Sequence, residues 1–446
     1  MEKPKYFIKT FGCQMNTNDS ERLGGLLTSV GFEVSEDETK ADLVILNTCS
    51  IRDHAEQRIM GFMEQYINRK KNGERLLVAV TGCMAGRDKD GALRKRVKVA
   101  DLFFATAEMV NLPRWIAELR PEWIIEGDAV EDYLKINPKR ESSIQAYISI
   151  QTGCNHFCTY CVVPYARGLV RNRPLQDILD EANNLVENGI REITLLGQVV
   201  NAYKATDHHV FKSFNPYQNH FAALLWELNQ IDGLERIHWT AAHPVDMDDQ
   251  VIHALTLPKQ VNYLHLPVQS GSNEILRKMN RKYTREKFLE IVEKINRARP
   301  GIALGTDIIV GFCGETDKDF EETIDLFKTC DFDISYTAQY SPRSGTLAYR
   351  LYSDDVSSET KKQRWQTLQN LMEETTLRKN KTYQDKVVKV FVENRDGDWL
   401  LGTNEELKRV RIKASELQIP PGSIIQAKIT KPMTWILEGE IIQNPE

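Results

Sequence analysis

The sequence predicts an α/β protein built of three successive units. These are a doubly wound parallel sheet, a central run of βα repeats, and a small closed β-barrel at the C-terminal end. Three observations carry the prediction. Short apolar runs alternate with helix-length amphipathic stretches as far as Tyr340. Beyond a long polar helix the pattern turns into closely spaced β-type runs, punctuated by Gly and Pro. The length of 446 residues suits about three domains at roughly 150 residues each.

In the first unit the runs Tyr6-Phe7-Ile8, Leu43-Val44-Ile45-Leu46, Leu76-Leu77-Val78-Ala79-Val80 and Leu102-Phe103-Phe104 are too short for helices. Each is followed by Gly, Asn or Thr and reads as a strand buried on both faces. Helices are expected between them, at 19–30 and 55–69. This alternation argues a doubly wound sheet. A polar stretch at 127–143, with a turn at Pro138-Lys139-Arg140, reads as a linker. The expected units are 1–125, 143–378 and 380–446.

In the second unit strands are expected at 147–150, 193–196, 236–240, 263–267, 304–310 and 333–340. Leu175, Ile178, Leu179, Ala182, Leu185 and Val186 recur at helical spacing, with Gly189 as the stop. A further helix at 285–299 buries Phe288, Ile291, Val292 and Ile295, with Thr284 as N-cap and Pro300-Gly301 as the stop. Six strands separated by helices suit a parallel barrel, partial or complete; an open sheet has the same pattern. The third unit begins after a mostly polar helix at 358–383, striped by Trp365, Leu368, Leu371 and Met372. Strands at 387–392, 410–412, 424–429 and 435–441, separated by Gly402, Pro420-Pro421-Gly422 and Gly439, fit a small closed barrel.

Composition narrows the classes. With 41% hydrophobic and 27% charged residues, the chain is neither collagen-like nor disordered nor a small disulfide scaffold. It has no run of about 18 apolar residues, so no membrane span is expected. The start Met1-Glu2-Lys3-Pro4-Lys5 leads into no secretory core, and a cytoplasmic location is expected. The net charge of −5 gives no general attraction to polyanions, so an RNA partner must be met by local patches. Candidates are Arg69-Lys70-Lys71, the 94–98 cluster, Arg277-Lys278 with Arg281-Lys282, and above all Arg167, Arg171 and Arg173. The last unit carries no net charge.

Eight cysteines in such a chain suggest metal ligation or catalysis rather than disulfides. Cys154-Asn155-His156-Phe157-Cys158-Thr159-Tyr160-Cys161 is C-x3-C-x2-C directly after a strand. Three thiolates without a fourth suit a [4Fe-4S] cluster that leaves one iron open. A cluster of that kind can reduce S-adenosylmethionine and release a 5′-deoxyadenosyl radical. A zinc knuckle completed by His156, or simple buried thiols, are the alternatives. Cys13, Cys49 and Cys83 lie 36 and 34 residues apart, one βα unit each, and each follows a strand. A parallel sheet would bring them to one edge, as a second three-cysteine cluster site or as three core thiols. Cys313 and Cys330 are expected to pack in the core.

With these motifs the chain resembles the radical S-adenosylmethionine methylthiotransferases. Thr10-Phe11-Gly12-Cys13-Gln14-Met15-Asn16, Asn47-Thr48-Cys49-Ser50-Ile51-Arg52-Asp53 and Cys161-Val162-Val163-Pro164-Tyr165-Ala166-Arg167-Gly168 are similar to the branch that acts on N6-dimethylallyladenosine in tRNA. The resemblance spans essentially the whole chain. It implies an auxiliary [4Fe-4S] domain, a radical barrel and a terminal β-barrel like the TRAM RNA-binding module. It implies 2-methylthiolation of the adenosine beside the anticodon, with two [4Fe-4S] clusters and S-adenosylmethionine. It also implies an electron donor such as flavodoxin or ferredoxin, and a sulfur-supply protein. The threonylcarbamoyladenosine methylthiotransferases are the neighbouring reading. A non-catalytic iron–sulfur RNA-binding or electron-transfer protein is the reading of another class.

Candidate S-adenosylmethionine contacts lie at strand ends of the central unit: Gln198, Asn201, Thr240, His243, Gln269 and Asp307. The resemblance adds Tyr160, at the position that lies against adenine in the superfamily. Asp307 sits in an otherwise apolar strand and needs a partner. Departures from the family pattern fall at Asn172, Val199, Cys313, 402–404 and within Trp239-Thr240-Ala241-Ala242-His243-Pro244, where Ser-His-Pro is expected; none removes a cysteine of either trio.

Overall fold

The computed structural model describes residues 3–50, 53–123, 130–414 and 417–443. The first unit is a parallel sheet of β1 (Lys5–Thr10), β2 (Glu33–Val34), β3 (Leu43–Thr48), β4 (Leu77–Gly82) and β5 (Leu102–Phe103), in the order β2-β1-β3-β4-β5. Strands β3 and β4 are buried on both faces, and alternate side chains feed two different cores. Leu43, Ile45, Leu77 and Ala79 face one; Val44, Leu46, Val78 and Val80 face the other. Helices α1 (Gln14–Ser29), α2 (Asp53–Lys71), α3 (Cys83–Arg87), α4 (Ala92–Arg96) and α5 (Leu112–Leu119) connect and flank the strands.

Helix α1 starts five residues before the expected 19–30, because Cys13 supplies its N-cap and Asn16 reaches back to the Cys13 amide. The expected linker is, in its described part, no free tether. Tyr133, Leu134 and Ile136 join the first core. Buried Arg22 donates to the carbonyls of Tyr133, Leu134 and Ile136 at 3.3, 3.1 and 2.7 Å. A hydrophobic tyrosine and a buried guanidinium thus strap this segment onto α1. Its polarity in sequence concealed that.

The central unit opens with β6 (Gln145–Ser149). A short antiparallel pair, β7 (Gln151–Thr152) and β8 (Arg171–Asn172), brackets the three-cysteine loop and α6 (Val163–Arg167). Then follow α7 (Leu175–Glu187), β9 (Glu192–Leu196), α8 (His220–Asn229), β10 (Arg236–Trp239) and α9 (Asp249–Ala254). The second half runs β11 (Tyr263–His265), α10 (Asn273–Lys278), α11 (Arg285–Ala298), β12 (Ala303–Val310), α12 (Asp317–Cys330) and β13 (Ile334–Gln339). All six expected strands form, and all pair in parallel, as β6-β9-β10 and β11-β12-β13. A parallel bridge between Ile237 and Gln260 joins the two sets. Among the described residues β13 does not pair with β6, so the barrel is partial.

Other elements cover its edges. Asn18 of α1 donates to the Tyr147 carbonyl at 3.4 Å and accepts from the Ser149 hydroxyl at 2.7 Å. After α13 (Leu347–Leu351), helix α14 (Ser358–Lys381) lies along β13, where the Trp365 indole donates to the Thr337 carbonyl at 2.9 Å. Cys313 and Cys330 are buried in apolar clusters, as expected.

The last unit is a closed barrel of β14 (Val387–Asp396), β15 (Trp399–Thr403), β16 (Arg409–Lys413), β17 (Ile424–Pro432) and β18 (Leu437–Gln443), ordered β14-β15-β16-β18-β17. Strand β15 was not among the expected strands. Gly402 reads as a turn in sequence, yet here it sits mid-ladder, paired with Val392 and Val410. A Cβ at this position would lie 2.0 Å from the Phe391 carbonyl oxygen. Glycine is needed for close strand approach, not for a turn. The barrel is moored to the central unit by Arg236, which donates to the Thr403 carbonyl at 3.2 Å and lies over the Phe391 ring. Lys408 adds an ion pair with buried Asp333 at 2.9 Å. Gly402→Val is expected to lower stability by about 1–3 kcal/mol through overpacking. Urea unfolding of the full chain, followed at a tryptophan band, measures it.

Candidate functional site

Register decides where the first three cysteines meet. Thr10 of β1 pairs with Asn47 of β3, and Thr48 of β3 pairs with Gly82 of β4. Cys49 and Cys83 therefore leave adjacent strands at the same level, and Cys13 follows one short step past β1. Gly12 keeps the turn tight: its φ is +148°, and a Cβ there would lie 2.9 Å from Cys49 Cβ. Cys83 feels the charge of Cys13 directly. Asn47 braces the edge, donating to the Asn16 carbonyl at 2.8 Å and to the Ser20 hydroxyl at 2.9 Å. Cys13 is exposed, while Cys49 and Cys83 are buried. Burial pushes the Cys83 thiol up, and Arg167 opposes that with an Nε–H···Sγ contact of 3.4 Å.

The second trio sits on the loop between β7 and β8. Gly153, at φ +80°, starts it, because a Cβ there would lie 2.1 Å from the Leu169 carbonyl oxygen. Each thiol has an N–H donor. The His156 amide points to Cys154 at 3.5 Å, the Val163 amide to Cys161 at 3.4 Å, and Arg281 Nη1 to Cys158 at 3.3 Å. Arg281 is turned inward between Asn280 and Lys282, both left-handed at φ +59°. Asn280 also donates to the Phe157 carbonyl at 3.0 Å, pinning the loop from the far side. Burial pushes the Cys161 thiol up to about 12 and the Cys154 thiol up as well. A bound metal centre would ionise buried thiols of this kind.

The donor sets fit iron–sulfur clusters better than single ions. One tetrahedral ion, with metal–sulfur bonds of about 2.3 Å, would draw three sulfurs to within about 4 Å of one another. Among the described residues the only three His, Cys, Asp or Glu ligand atoms within 4.8 Å of one another belong to His156, His243 and Asp246. Neither cysteine trio is drawn in that far. The zinc-knuckle alternative fails on the same ground. The His156 ring turns from the thiols, stacks on His243 with centroids 3.9 Å apart, and places Nε2 3.0 Å from Asp246.

A cavity of about 780 Å³ opens beside this loop, lined by Asn155, His156, Asn172, Asn201, Tyr203 and Asp246 among others. Around the strand ends, Gln198 Oε1 and His243 Nε2 are buried without a hydrogen-bond partner. Orphaned polar atoms of this kind fit a polar ligand such as S-adenosylmethionine. The other expected contacts divide. Asn201 is committed to protein: its side chain exchanges two 2.9 Å hydrogen bonds with the His243 backbone, joining the loops after β9 and β10. Gln269 is buried at φ +71°, and its backbone continues the ladder of β12. Asp307 finds its partner in His265 at 3.2 Å. Tyr160 lies near Arg281, and burial drives its hydroxyl well above the usual range. Thr240 faces a different cavity.

That second cavity, about 810 Å³, is shared by all three units. Cys13 and Gln14 stand on one side, with His238, Thr240, Tyr263, His265 and Tyr336 on the barrel floor. Lys408, Arg409 and Trp435 of the terminal barrel stand opposite. Buried His238 Nε2 is without a partner here too, and burial pushes the imidazole down to about 3.

The expected RNA-facing arginines need correction. Arg167 and Arg173 are inside: their side chains are 3% and 8% exposed and pair with Asp19 and Glu181 at 2.5 Å. A strand end followed by a helix N-terminus turns this stretch into the protein. Arg171 alone faces out, paired with Asp132. Arg281, read in sequence as part of a surface patch, is the buried donor to Cys158. Asp19, Arg281 and the His156–His243 stack were missed. Asp19 sits in an ordinary polar helix, and only tertiary packing selects it.

Residues 148–327 match the radical SAM superfamily, and residues 5–105 match uncharacterized protein family UPF0004. The chain is 40% identical over 449 residues to a tRNA-2-methylthio-N(6)-dimethylallyladenosine synthase of Thermoanaerobacter sp. (strain X514), covering 98% of this chain and 93% of that protein. It is also 40% identical over 450 residues to the enzyme of that name in Bacillus subtilis (strain 168), covering 98% and 86%. Among solved structures, the radical S-adenosylmethionine methyltransferase TsrM from Kitasatospora setae aligns with a TM-score of 0.57 at 16% identity, over 78% of this chain and 77% of that one. That likeness speaks for the fold. With two such cysteine sites and relatives matching nearly end to end, the chain belongs to the tRNA-2-methylthio-N6-dimethylallyladenosine synthase family.

Proposed function

We propose that this chain is a tRNA methylthiotransferase that converts N6-(dimethylallyl)adenosine beside the anticodon to its 2-methylthio derivative. The observation that carries the reading is the shared cavity. It brings Cys13 of one trio, the strand ends of the radical barrel and the outer face of the terminal barrel to one space. A volume of about 810 Å³ suits a nucleoside with a prenyl side chain. The adenine C2–H is not acidic, so acid–base chemistry cannot open it and a radical route is needed. When bound, a [4Fe-4S] cluster at Cys154, Cys158 and Cys161 supplies the electron that cleaves S-adenosylmethionine, and one at Cys13, Cys49 and Cys83 supplies the sulfur site.

The chain's own residues do the rest. The amides of His156 and Val163 and the guanidinium of Arg281 stabilise the thiolates of the loop. Asp246 offers a carboxylate to S-adenosylmethionine in the smaller cavity, and the orphaned atoms of Gln198 and His243, on the loops after β9 and β10, offer polar groups to orient it. Tyr336 and Trp435, both at least half exposed, offer faces on which an unstacked base can lie. Arg409 and outward-facing Arg171 offer charge to phosphate. Each cleavage consumes one electron and each product removes one sulfur. A low-potential donor of the flavodoxin or ferredoxin kind and a sulfur-supply protein therefore complete the cycle. No described helix is long and apolar enough to cross a membrane, and a tRNA substrate puts the work in the cytoplasm.

Three measurements test this. Reduced, reconstituted protein is expected to release 5′-deoxyadenosine from S-adenosylmethionine. Cys158→Ala should abolish that release. Cys49→Ala should keep it and stop sulfur insertion, read by nucleoside analysis of dimethylallyladenosine-containing tRNA. Trp435→Ala should weaken tRNA binding by about 1–3 kcal/mol in a filter assay, with cleavage unchanged. The buried imidazole of His238 gives a pH signature. Below an ordinary histidine value of about 6.5, the unfolded chain takes up a proton that the folded chain refuses down to about 3. His238 therefore makes stability fall as pH drops through that window. His238→Gln should flatten the acid slope of unfolding free energy between pH 6 and 5 by up to about 1.4 kcal/mol per pH unit. An unchanged slope would place the proton elsewhere.

A further inference from the structure

The two cysteine sites are joined by one side chain. Arg167 is the last residue of α6, the short helix that follows Cys161. Its Nη2 lies 2.5 Å from Asp19 Oδ2, and the two side chains are 3% and 1% exposed. Its Nε–H points at Cys83 Sγ, 3.4 Å away. Cys83 opens α3, and α3 packs directly on α6: a Cβ at Gly86 would lie 2.2 Å from the Ala166 carbonyl oxygen. Asp19 belongs to α1, the helix capped by Cys13, and also accepts from the Tyr133 hydroxyl. The guanidinium thus comes from the loop of one trio and ends on a thiol of the other. The surroundings hold it there by close packing and a buried carboxylate.

A buried ion pair of this kind is costly to form and is weak evidence of a purely stabilising role. A hydrogen bond to a metal-bound thiolate withdraws electron density from sulfur and favours the reduced state of the centre. We infer that Arg167 is a positioning residue that links the two sites, raising the reduction potential of the auxiliary site through its hydrogen bond to Cys83. This rests on the reading of Cys13, Cys49 and Cys83 as a cluster site. Removing Arg167 deletes the donor and leaves the Asp19 carboxylate uncovered near the thiolate; both changes lower the potential.

The test uses full-length chain carrying Cys154→Ala, Cys158→Ala and Cys161→Ala, so that only the auxiliary site is observed. Anaerobic protein is assayed for iron and sulfide, then titrated with reductant and followed by electron paramagnetic resonance. The parent triple variant should hold about four irons. Arg167→Met should shift the oxidised-to-reduced ratio at fixed potential at least tenfold toward oxidised, about 59 mV for one electron. Arg167→Lys, which keeps the charge, should recover part of the shift. Arg297→Met, a surface control, should match the parent. Arg167→Met that holds its iron and titrates with the parent overturns the inference. Loss of iron in both Arg167→Met and Arg167→Lys also overturns it, because Arg167 would then serve assembly and not potential. A parent triple variant without iron removes the auxiliary-cluster reading itself.

Discussion

Parallel strands end on a common edge, and that constraint organises this molecule. In a βα repeat every strand runs the same way, so the residue just past each strand arrives at the same rim. Cys13, Cys49 and Cys83 are far apart in sequence and meet because β1, β3 and β4 are neighbours in register. The C-x3-C-x2-C loop follows the first strand of the second repeat and so opens at the mouth of the partial barrel. The terminal barrel is moored at the other, N-terminal ends of the central strands, through Arg236, Asn262 and Asp333. One geometric rule therefore supplies both thiol sites.

Charge buried at these rims serves position more than stability. Asp19, Arg167, Arg173, Glu181 and Arg281 are held inside by hydrogen bonds that satisfy most of their polar atoms. A guanidinium can answer a carboxylate and a thiolate at once, because its donors diverge in a plane. Lysine, a point charge on a flexible stem, cannot hold both directions. Arg281 shows the geometry at the loop: it donates to Cys158, to the Pro267 carbonyl at 3.1 Å and to the Tyr283 hydroxyl at 3.1 Å. The orphaned atoms at Gln198, His238 and His243 are the complement of that order. They mark the places where protein leaves polar atoms for something else to satisfy.

Strand positions, helix faces and both cysteine trios were legible in the sequence because they follow from local pattern: apolar runs, helical spacing and short-range motif. Errors cluster where a side chain's neighbour is remote. Gly402 carries the composition of a turn and the geometry of a strand, since the Phe391 carbonyl that forces glycine lies eleven residues away in β14. Residues 130–143 carry the polarity of a linker, yet Arg22 and the first core hold their described backbone and tyrosine in place. Arg167 and Arg173 carry the charge of an RNA patch, yet α1 and α7 present carboxylates to them from below.

The sequence by itself determined the α/β architecture and the places of the two cysteine trios within it. Periodicity and spacing are properties of the chain, and they survive without knowledge of contacts. Tertiary structure alone decided which arginines face water and which face sulfur, that His156 turns to Asp246, and that Cys13 opens into a space shared with the terminal barrel. Those outcomes depend on which surfaces of distant segments come together. Desolvation then fixes the role of each polar group that such packing encloses.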